Sequence, residues 1–284
     1  MQNFDLHMHT TYCDGKNSAE EMIRAAESLG LETVGLSGHS YTWFDTSYCM
    51  SLKSTEAYIE EVRALREKYR GRINVLLGTE LDYCAEIDTG PYDYIIGSSH
   101  YILKEGAYVD VDYSPDILRD GVEANFGGDM MAAIAAYYEQ VGDIVRRTGC
   151  DIIGHFDLVT KFIEQEPVVD TSAPEYIAAW KAAADRIFED TAELRAAGRR
   201  NRLFDEGGPL YDVFGGTNGK PVFEINTGAM SKGYRTSPYP APDQIDYIRS
   251  KGGILILNSD SHSAETVAYH FSELGGLCTT PQKK

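Results

Sequence analysis

Short apolar segments alternate with helical stripes about seven times along this chain, and that alternation restricts the fold more than any other feature. Segments 3–8 (NFDLHM), 33–38 (TVGLSG), 73–79 (INVLLGT), 93–98 (DYIIGS), 151–154 (DIIG), 221–226 (PVFEIN) and 254–259 (ILILNS) read as strands. Several are apolar at both parities, as parallel strands covered on both faces must be. Between them, Ser18 and Glu21 form a capping-box pattern ahead of Met22, Ala25, Ala26 and Leu29. Ile59, Val62, Leu65 and Tyr69 recur at helical spacing, and Met130, Ile134, Tyr137, Val141 and Ile144 do so more cleanly. Ser172 and Glu175 are expected to cap a further long helix, whose stripe runs from Ile177 and Trp180 to Leu194. The expected architecture is α/β, either a closed or nearly closed parallel barrel or a doubly wound sheet. No composition shift divides the chain, so residues 1–284 read as one domain.

Two segments break the alternation. Residues 101–128 form a long Tyr- and Asp-rich excursion, and 198–220 is Gly-rich with a basic cluster at Arg199, Arg200 and Arg202. Loops of that length commonly serve as lids or mobile surface. An apolar fraction of 43% and a charged fraction of 25% exclude disorder and collagen-like repeats. With 26 basic and 44 acidic residues the formal charge is −18, and a field of that sign repels extended nucleic acid. The five cysteines form no C-x-x-C pair, which argues against a zinc ribbon or a disulfide framework. No early apolar run reads as a signal peptide and none approaches a membrane span, so a reduced cytoplasmic compartment is expected. Cys13, beside Asp14, reads as a loop cysteine rather than a reactive thiol.

Six of the seven histidines stand at or just past strand ends. His7 and His9 close the first strand, His39 the second, His100 the fourth and His155 the fifth, and His262 follows the seventh; only His270 lies elsewhere. Glu80 ends the third strand, Glu224 and Asn226 lie in the sixth, and Asp260 follows the seventh. In a parallel barrel these ends converge on one rim. A single strand-end histidine needs only a local hydrogen bond, but six beside Asp14, Glu80 and Asp260 require compensating charge, which divalent cations supply. Alternate residues of a strand point the same way, so His7 and His9 can chelate one ion. Asp260 and His262 repeat the spacing. Imidazole and carboxylate ligands without thiolate suit Zn²⁺, Fe²⁺ or Mn²⁺, and nine such residues suit two or three ions. Clusters of this kind activate water for hydrolysis.

The ordered motifs DLHMHTTYCDG (5–15), SGHS (37–40), LLGTELD (76–82), IIGSSHYI (95–102), IIGHFDL (152–158), FEIN (223–226) and NSDSH (258–262) resemble those of the polymerase and histidinol phosphatase (PHP) superfamily. The resemblance implies a distorted (β/α)₇ TIM-like barrel with a trinuclear metal site. It assigns a first ion to His7, His9, Glu80 and Asp260, and a second to Glu80, His100 and His155. A third would sit between Asp14, His39 and His262. GHFDLVTKF (154–162), the 126–141 run and FEINTGAMSKGYRTSPYP (223–240) are most similar to the monofunctional histidinol-phosphate phosphatases. The expected activity is therefore metal-dependent hydrolysis of a small phosphate ester in histidine biosynthesis. Hydrolysis of another small ester or nucleotide, and a non-catalytic metal-stabilised module, are the alternatives. Arg235 is the first candidate for a phosphate clamp, since its planar fork matches two phosphate oxygens, and Lys161 the second. Asp260 or His262 would protonate the leaving oxygen. The 198–220 stretch, longer than a compact member needs, is expected to reshape the substrate mouth.

Overall fold

The computed structural model describes residues 2–280. Its strands are β1 (Phe4–Asp5), β2 (Thr33–Leu36), β3 (Asn74–Asp82), β4 (Tyr94–Ser98), β5 (Tyr101–Lys104), β6 (Ala107–Asp110), β7 (Ile152–Ile153), β8 (Val222–Asn226) and β9 (Ile254–Asn258). Seven of them form one sheet in the order β1-β2-β3-β4-β7-β8-β9, and every neighbouring pair is parallel. All seven expected strand segments are present. The barrel reading prevails over the doubly wound one because the sheet runs in sequence order and nearly closes on itself.

Closure between β9 and β1 is made partly by side chains. Met8 and Ser261 form one parallel bridge, with His9 N–H donating to the Ser261 carbonyl at 2.8 Å. Nearer the strand starts, Leu6 N–H donates to Asn258 Oδ1 at 3.1 Å. Leu257 N–H donates to Gln2 Oε1 at 2.9 Å, and Gln2 Nε2 donates to the Leu257 carbonyl at 2.6 Å. Amide side chains thus satisfy backbone groups that an ideal barrel would pair directly, which is the distortion in this (β/α)₇ barrel.

The helices are α1 (Ala19–Ser28), α2 (Leu52–Lys68), α3 (Pro115–Phe126), α4 (Met130–Gly142), α5 (Ile144–Thr148), α6 (Pro174–Ala196), α7 (Tyr211–Phe214), α8 (Gly228–Ser231), α9 (Pro242–Ser250) and α10 (Phe271–Leu274). The capping box of Ser18 and Glu21 is present. The expected cap of α6 is not: Ser172 turns its hydroxyl to Asp170 Oδ1 at 2.6 Å, and the helix starts at Pro174 with Ala173 as N-cap. Proline is favoured at a first helical position because its missing N–H has no helical partner there, so it displaces the start by one residue. Among the described residues, no helix is long and apolar enough to cross a membrane.

Inside the barrel, Phe4, Leu6, Leu76, Tyr94, Ile96 and Ile256 form an apolar plug toward the strand starts. Tyr94 reaches across to donate its hydroxyl to the Leu6 carbonyl. Room for its ring comes from Gly35 and Gly78, where an added Cβ would lie 2.2 Å from Tyr94 atoms. The 198–220 segment completes this plug. Leu203, Phe204, Leu210 and Phe214 pack into it, and Phe204 meets Phe4 at a ring separation of 6.2 Å. Its arginines are tied down locally: Arg199 donates to the carbonyls of Val145 and Cys150, and Arg202 pairs with Asp151 at 3.5 Å. The expectation that this segment shapes the substrate mouth is overturned. It is entered from α6 and leaves into β8, so it closes the opposite end. Residues 101–128 leave from β4 on the other face and fold into the antiparallel β5–β6 hairpin followed by α3.

Candidate metal centre

At the C-terminal rim the structure brings together every residue that the strand-end pattern selected. His7 and His9 lie just past β1, their ring centroids 5.2 Å apart. His39 follows β2 and forms a parallel bridge with Glu80 of β3. His100 follows β4, His155 follows β7, and Asp260 and His262 follow β9. Asp14 comes from the turn after His9, where Gly15 is obligatory: a Cβ there would lie 2.5 Å from Thr10 N. Asp260 occupies left-handed backbone with φ 49°, uncommon for a residue bearing a side chain, and such strain persists where surrounding structure enforces it. Gly228 makes space for it, since a Cβ there would stand 2.6 Å from Asp260 Oδ2.

The donor atoms converge in three overlapping groups. In the first, His7 Nε2 and His9 Nε2 lie 3.2 and 3.5 Å from Glu80 Oε2, and 3.7 and 3.1 Å from Asp260 Oδ1. Four ligands at about 2.0–2.1 Å from a tetrahedral ion stand about 3.3 Å from one another, so these separations match one ion's shell. In the second, Glu80 Oε1 lies 2.7 Å from His155 Nε2 and 3.4 Å from His100 Nε2. In the third, Asp14 lies 3.0 Å from His262 Nε2, 3.7 Å from His39 Nε2 and 3.5 Å from His9 Nδ1. Sequence reasoning omitted His9 from this last group, although the four residues offer ligand atoms within 4.8 Å of one another.

Three of the converging atoms, His7 Nε2, His9 Nε2 and Glu80 Oε2, are buried and make no hydrogen bond to the protein. Buried polar atoms without partners are rare, and here they face each other. Electrostatics agree. Burial alone would raise the Glu80 carboxyl, but the rings of His39, His7 and His100 hold it well below the usual carboxylate range. Asp260 is likewise pushed up by burial and then held well below its ordinary value by His7, His9 and His262. Burial, with His262 and His39 beside it, brings His9 down to about 3, so its ring is neutral and free to ligate. Burial and Asp14 push the Cys13 thiol up to about 12, in keeping with an unreactive loop cysteine.

Above these groups opens a cavity of about 430 Å³. Lys161 reaches its wall, with Nζ held by the Asp112 carbonyl at 2.7 Å and by Asp112 Oδ2 at 3.0 Å. Arg235 is not brought to the cavity wall. Its Nη1 pairs with buried Asp157 at 3.2 Å and donates to Thr160 Oγ1 at 2.9 Å, and its guanidinium stacks 4.4 Å from the Tyr239 ring centroid. Nη1 alone makes these polar contacts: Nη2 reaches only Ser237 Oγ at 3.4 Å, and buried Nε has no hydrogen-bond partner among the described residues. Sequence reasoning missed Lys232, an exposed cation on the wall, and Asp45; Asp110 and Asp112, in the acidic 108–116 stretch that the sequence offers to a cationic substrate, join Asp45 in giving the hairpin side its acid. It also missed Asp82, which accepts from His100 N–H at 2.8 Å and lies 3.1 Å from His100 Nδ1. The signal was available, because Glu80 and Asp82 share a strand parity. His270 lies apart, beside Tyr269 and Glu273.

A family model for the PHP domain matches residues 5–192. A protein of Deinococcus radiodurans named "Probable histidinol-phosphatase" is 28% identical over 95% of this chain and 90% of its own length. The histidinol-phosphatase of Bacillus subtilis is 26% identical over 98% of this chain and its full length. Among solved structures, histidinol phosphate phosphatase of Lactococcus lactis, complexed with zinc, L-histidinol and phosphate, superposes with a TM-score of 0.66 at 19% identity, covering 97% of this chain and 92% of that one. The family match ends inside α6, before Glu224, Asp260 and His262, whose place in the site therefore rests on geometry. Motif order, barrel and converging donors agree with the match across most of the chain: it belongs to the PHP domain family.

Proposed function

We propose that this chain is a metal-dependent phosphatase that hydrolyses L-histidinol phosphate to L-histidinol and phosphate in histidine biosynthesis. The observation that carries the reading is the set of buried donor atoms, without protein partners, at the floor of a cavity able to admit a small ester. The names of the aligned relatives support the substrate. Two or three divalent ions, zinc, iron or manganese, would be held by His7, His9, Glu80 and Asp260, by Glu80, His100 and His155, and by Asp14, His39 and His262 with His9 beside them. Bound there, such ions supply Lewis-acid stabilisation of the phosphoryl oxygens and lower the pKa of water.

The chain's own residues do the rest. Lys232, exposed on the wall, draws in the phosphate, and Lys161 stands on the same wall under the control of Asp112. Asp45 and Asp110 offer an acidic side to a substrate that carries an ammonium and an imidazole. Asp260, kept ionised, accepts a proton from the attacking water and, once protonated, hands it to the departing oxygen. The His262 Nδ1 lies 3.0 Å from the Asp260 carbonyl, which turns its Nε2 lone pair toward the site as a ligand. Residues 1–284 are read as one catalytic domain. Five free cysteines fit a reducing cytoplasmic setting, and the acidic balance fits a small substrate rather than extended nucleic acid.

The test is a comparison of metal-reconstituted protein on histidinol phosphate and on nucleoside monophosphates. The expected result is the highest kcat/KM on histidinol phosphate. Robust turnover of nucleotides without turnover of histidinol phosphate would make this another phosphoesterase, and no turnover of any ester would leave a metal-stabilised module.

A further inference from the structure

Beneath the donor groups lies Glu224, a fully buried carboxylate that the ligand sets above do not use. Its Oε1 accepts from the His155 backbone N–H and from Asn226 Nδ2, both at 2.7 Å. Oε2 accepts from Asn258 Nδ2 at 2.9 Å and lies 2.9 Å from His7 Nδ1. The amide orientations are not free choices. Asn226 Oδ1 is taken by Gly228 N–H at 2.8 Å, and Asn258 Oδ1 by Leu6 N–H at 3.1 Å. Backbone N–H groups can only donate, so each asparagine must turn its NH₂ to Glu224. Three of the four partners are therefore obligate donors, and an ionised carboxylate is the group that accepts from all of them.

That leaves the His7 ring with one choice. Facing an acceptor, Nδ1 must carry hydrogen, and Nε2 is then the lone-pair atom turned toward Glu80 and Asp260. We infer that Glu224 is a positioning residue that fixes His7 in its Nδ1–H tautomer and so makes its Nε2 a metal ligand. The inference rests on the metal-centre reading. The same carboxylate ties the backbone of His155 to the ring of His7, linking residues assigned to neighbouring groups through β8.

Substitution by glutamine sharpens the logic. Its NH₂ would meet two fixed donors on the Oε1 side, His155 N–H and Asn226 Nδ2, and one, Asn258 Nδ2, on the His7 side, so it turns to the His7 side. There it donates to Nδ1, moves the ring hydrogen to Nε2 and points an N–H into the site. Glu224→Gln is expected to bind zinc about 10–100-fold more weakly at one site, as loss of such partners generally does. Zinc affinity is read by chelator competition and content by elemental analysis, beside the melting temperature of metal-free protein. Long-range ¹H–¹⁵N NMR of the His7 ring in zinc-loaded wild type should place its hydrogen on Nδ1. Hydrogen on Nε2, or affinity at every site within threefold of wild type in Glu224→Gln, overturns the inference. If the variant does not fold, the wild-type ring spectrum decides alone. Wild type that binds no zinc would overturn the metal-centre reading itself, a result distinct from equal loading of wild type and variant.

Discussion

Replacing Arg235 by alanine distinguishes a structural ion pair from a phosphate clamp. The Asp157 carboxylate is fully buried and Arg235 is 6% exposed. Apart from Arg235, Asp157 Oδ2 accepts from Thr160 Oγ1 and Ala241 N–H, each at 3.2 Å. Burial raises the Asp157 carboxyl above its ordinary 3.8, and Arg235 only partly offsets this. A buried pair adds little over an apolar substitute, but removing one partner strands the other charge, at about 3–5 kcal/mol. For a chain of this size that corresponds to a fall in Tm on the order of 10 °C. The pH dependence has a definite sign. An acid whose folded pKa is raised contributes most below its unfolded value of 3.8, and that contribution is lost as pH rises through the folded pKa. Without Arg235 the folded value rises further, so the variant's deficit is greatest near neutrality and shrinks toward pH 5. Adding Asp157→Asn removes the stranded charge and should recover about 2 kcal/mol or more. Thermal melts at pH 5 and pH 7 beside kcat/KM measure all of this. An unchanged Tm with a loss of kcat/KM above a hundredfold would refute the reasoning and restore Arg235 to the phosphate.

Lys232→Ala should lower kcat/KM for phosphate esters by about 10–100-fold, the worth of one charge-assisted contact, while Tm stays nearly constant because the side chain is exposed. Gly228→Ala drives a methyl group to 2.6 Å from Asp260 Oδ2, and overpacking of this kind costs about 1–3 kcal/mol. Weaker zinc retention in chelator competition checks it. Stripping the ions should lower Tm, by about 4 kcal/mol of linkage for each site that had been held at a thousandfold excess over its Kd, and re-addition should restore it. Calorimetry with and without chelator measures that loss.

The barrel was legible because its strands are apolar at both parities, and the metal centre because its donors recur at strand ends. Both signals are periodic and survive in one dimension. The pairing of Arg235 was not legible, because its neighbourhood in sequence, GYRTSPYP, gives no hint of Asp157, 78 positions away. The positions of Asp82 and Glu224 were legible but their roles were not: an outer carboxylate is recognised by what its neighbours donate, and those donors come from other strands. The 198–220 error was avoidable. A segment entered from a helix and left into a strand lies at the closed end of a parallel barrel, whatever its composition.

Charge in the cavity implies an order of binding. Its lining carries the carboxylates of Asp14, Asp45, Glu80, Asp110, Asp112 and Asp260 against the two lysines Lys161 and Lys232, a formal −4 with neutral histidines. Lys161 is further neutralised by Asp112 at 3.0 Å. A phosphate dianion entering this lining alone would meet repulsion in a partly enclosed, low-dielectric space, where each like charge at short range costs more than in water. Two divalent ions would bring the lining to neutrality, and a third would make it +2. Metal must then load before phosphate, and the acid on the hairpin side stays available for the cationic end of the substrate. Inorganic phosphate is expected to bind metal-loaded protein and to give no calorimetric signal with metal-free protein at the same pH. The difference should shrink at high salt only modestly, because ions held among buried ligands are screened far less than surface charges. Phosphate binding of equal strength with and without metal would contradict both the order and the charge argument behind it.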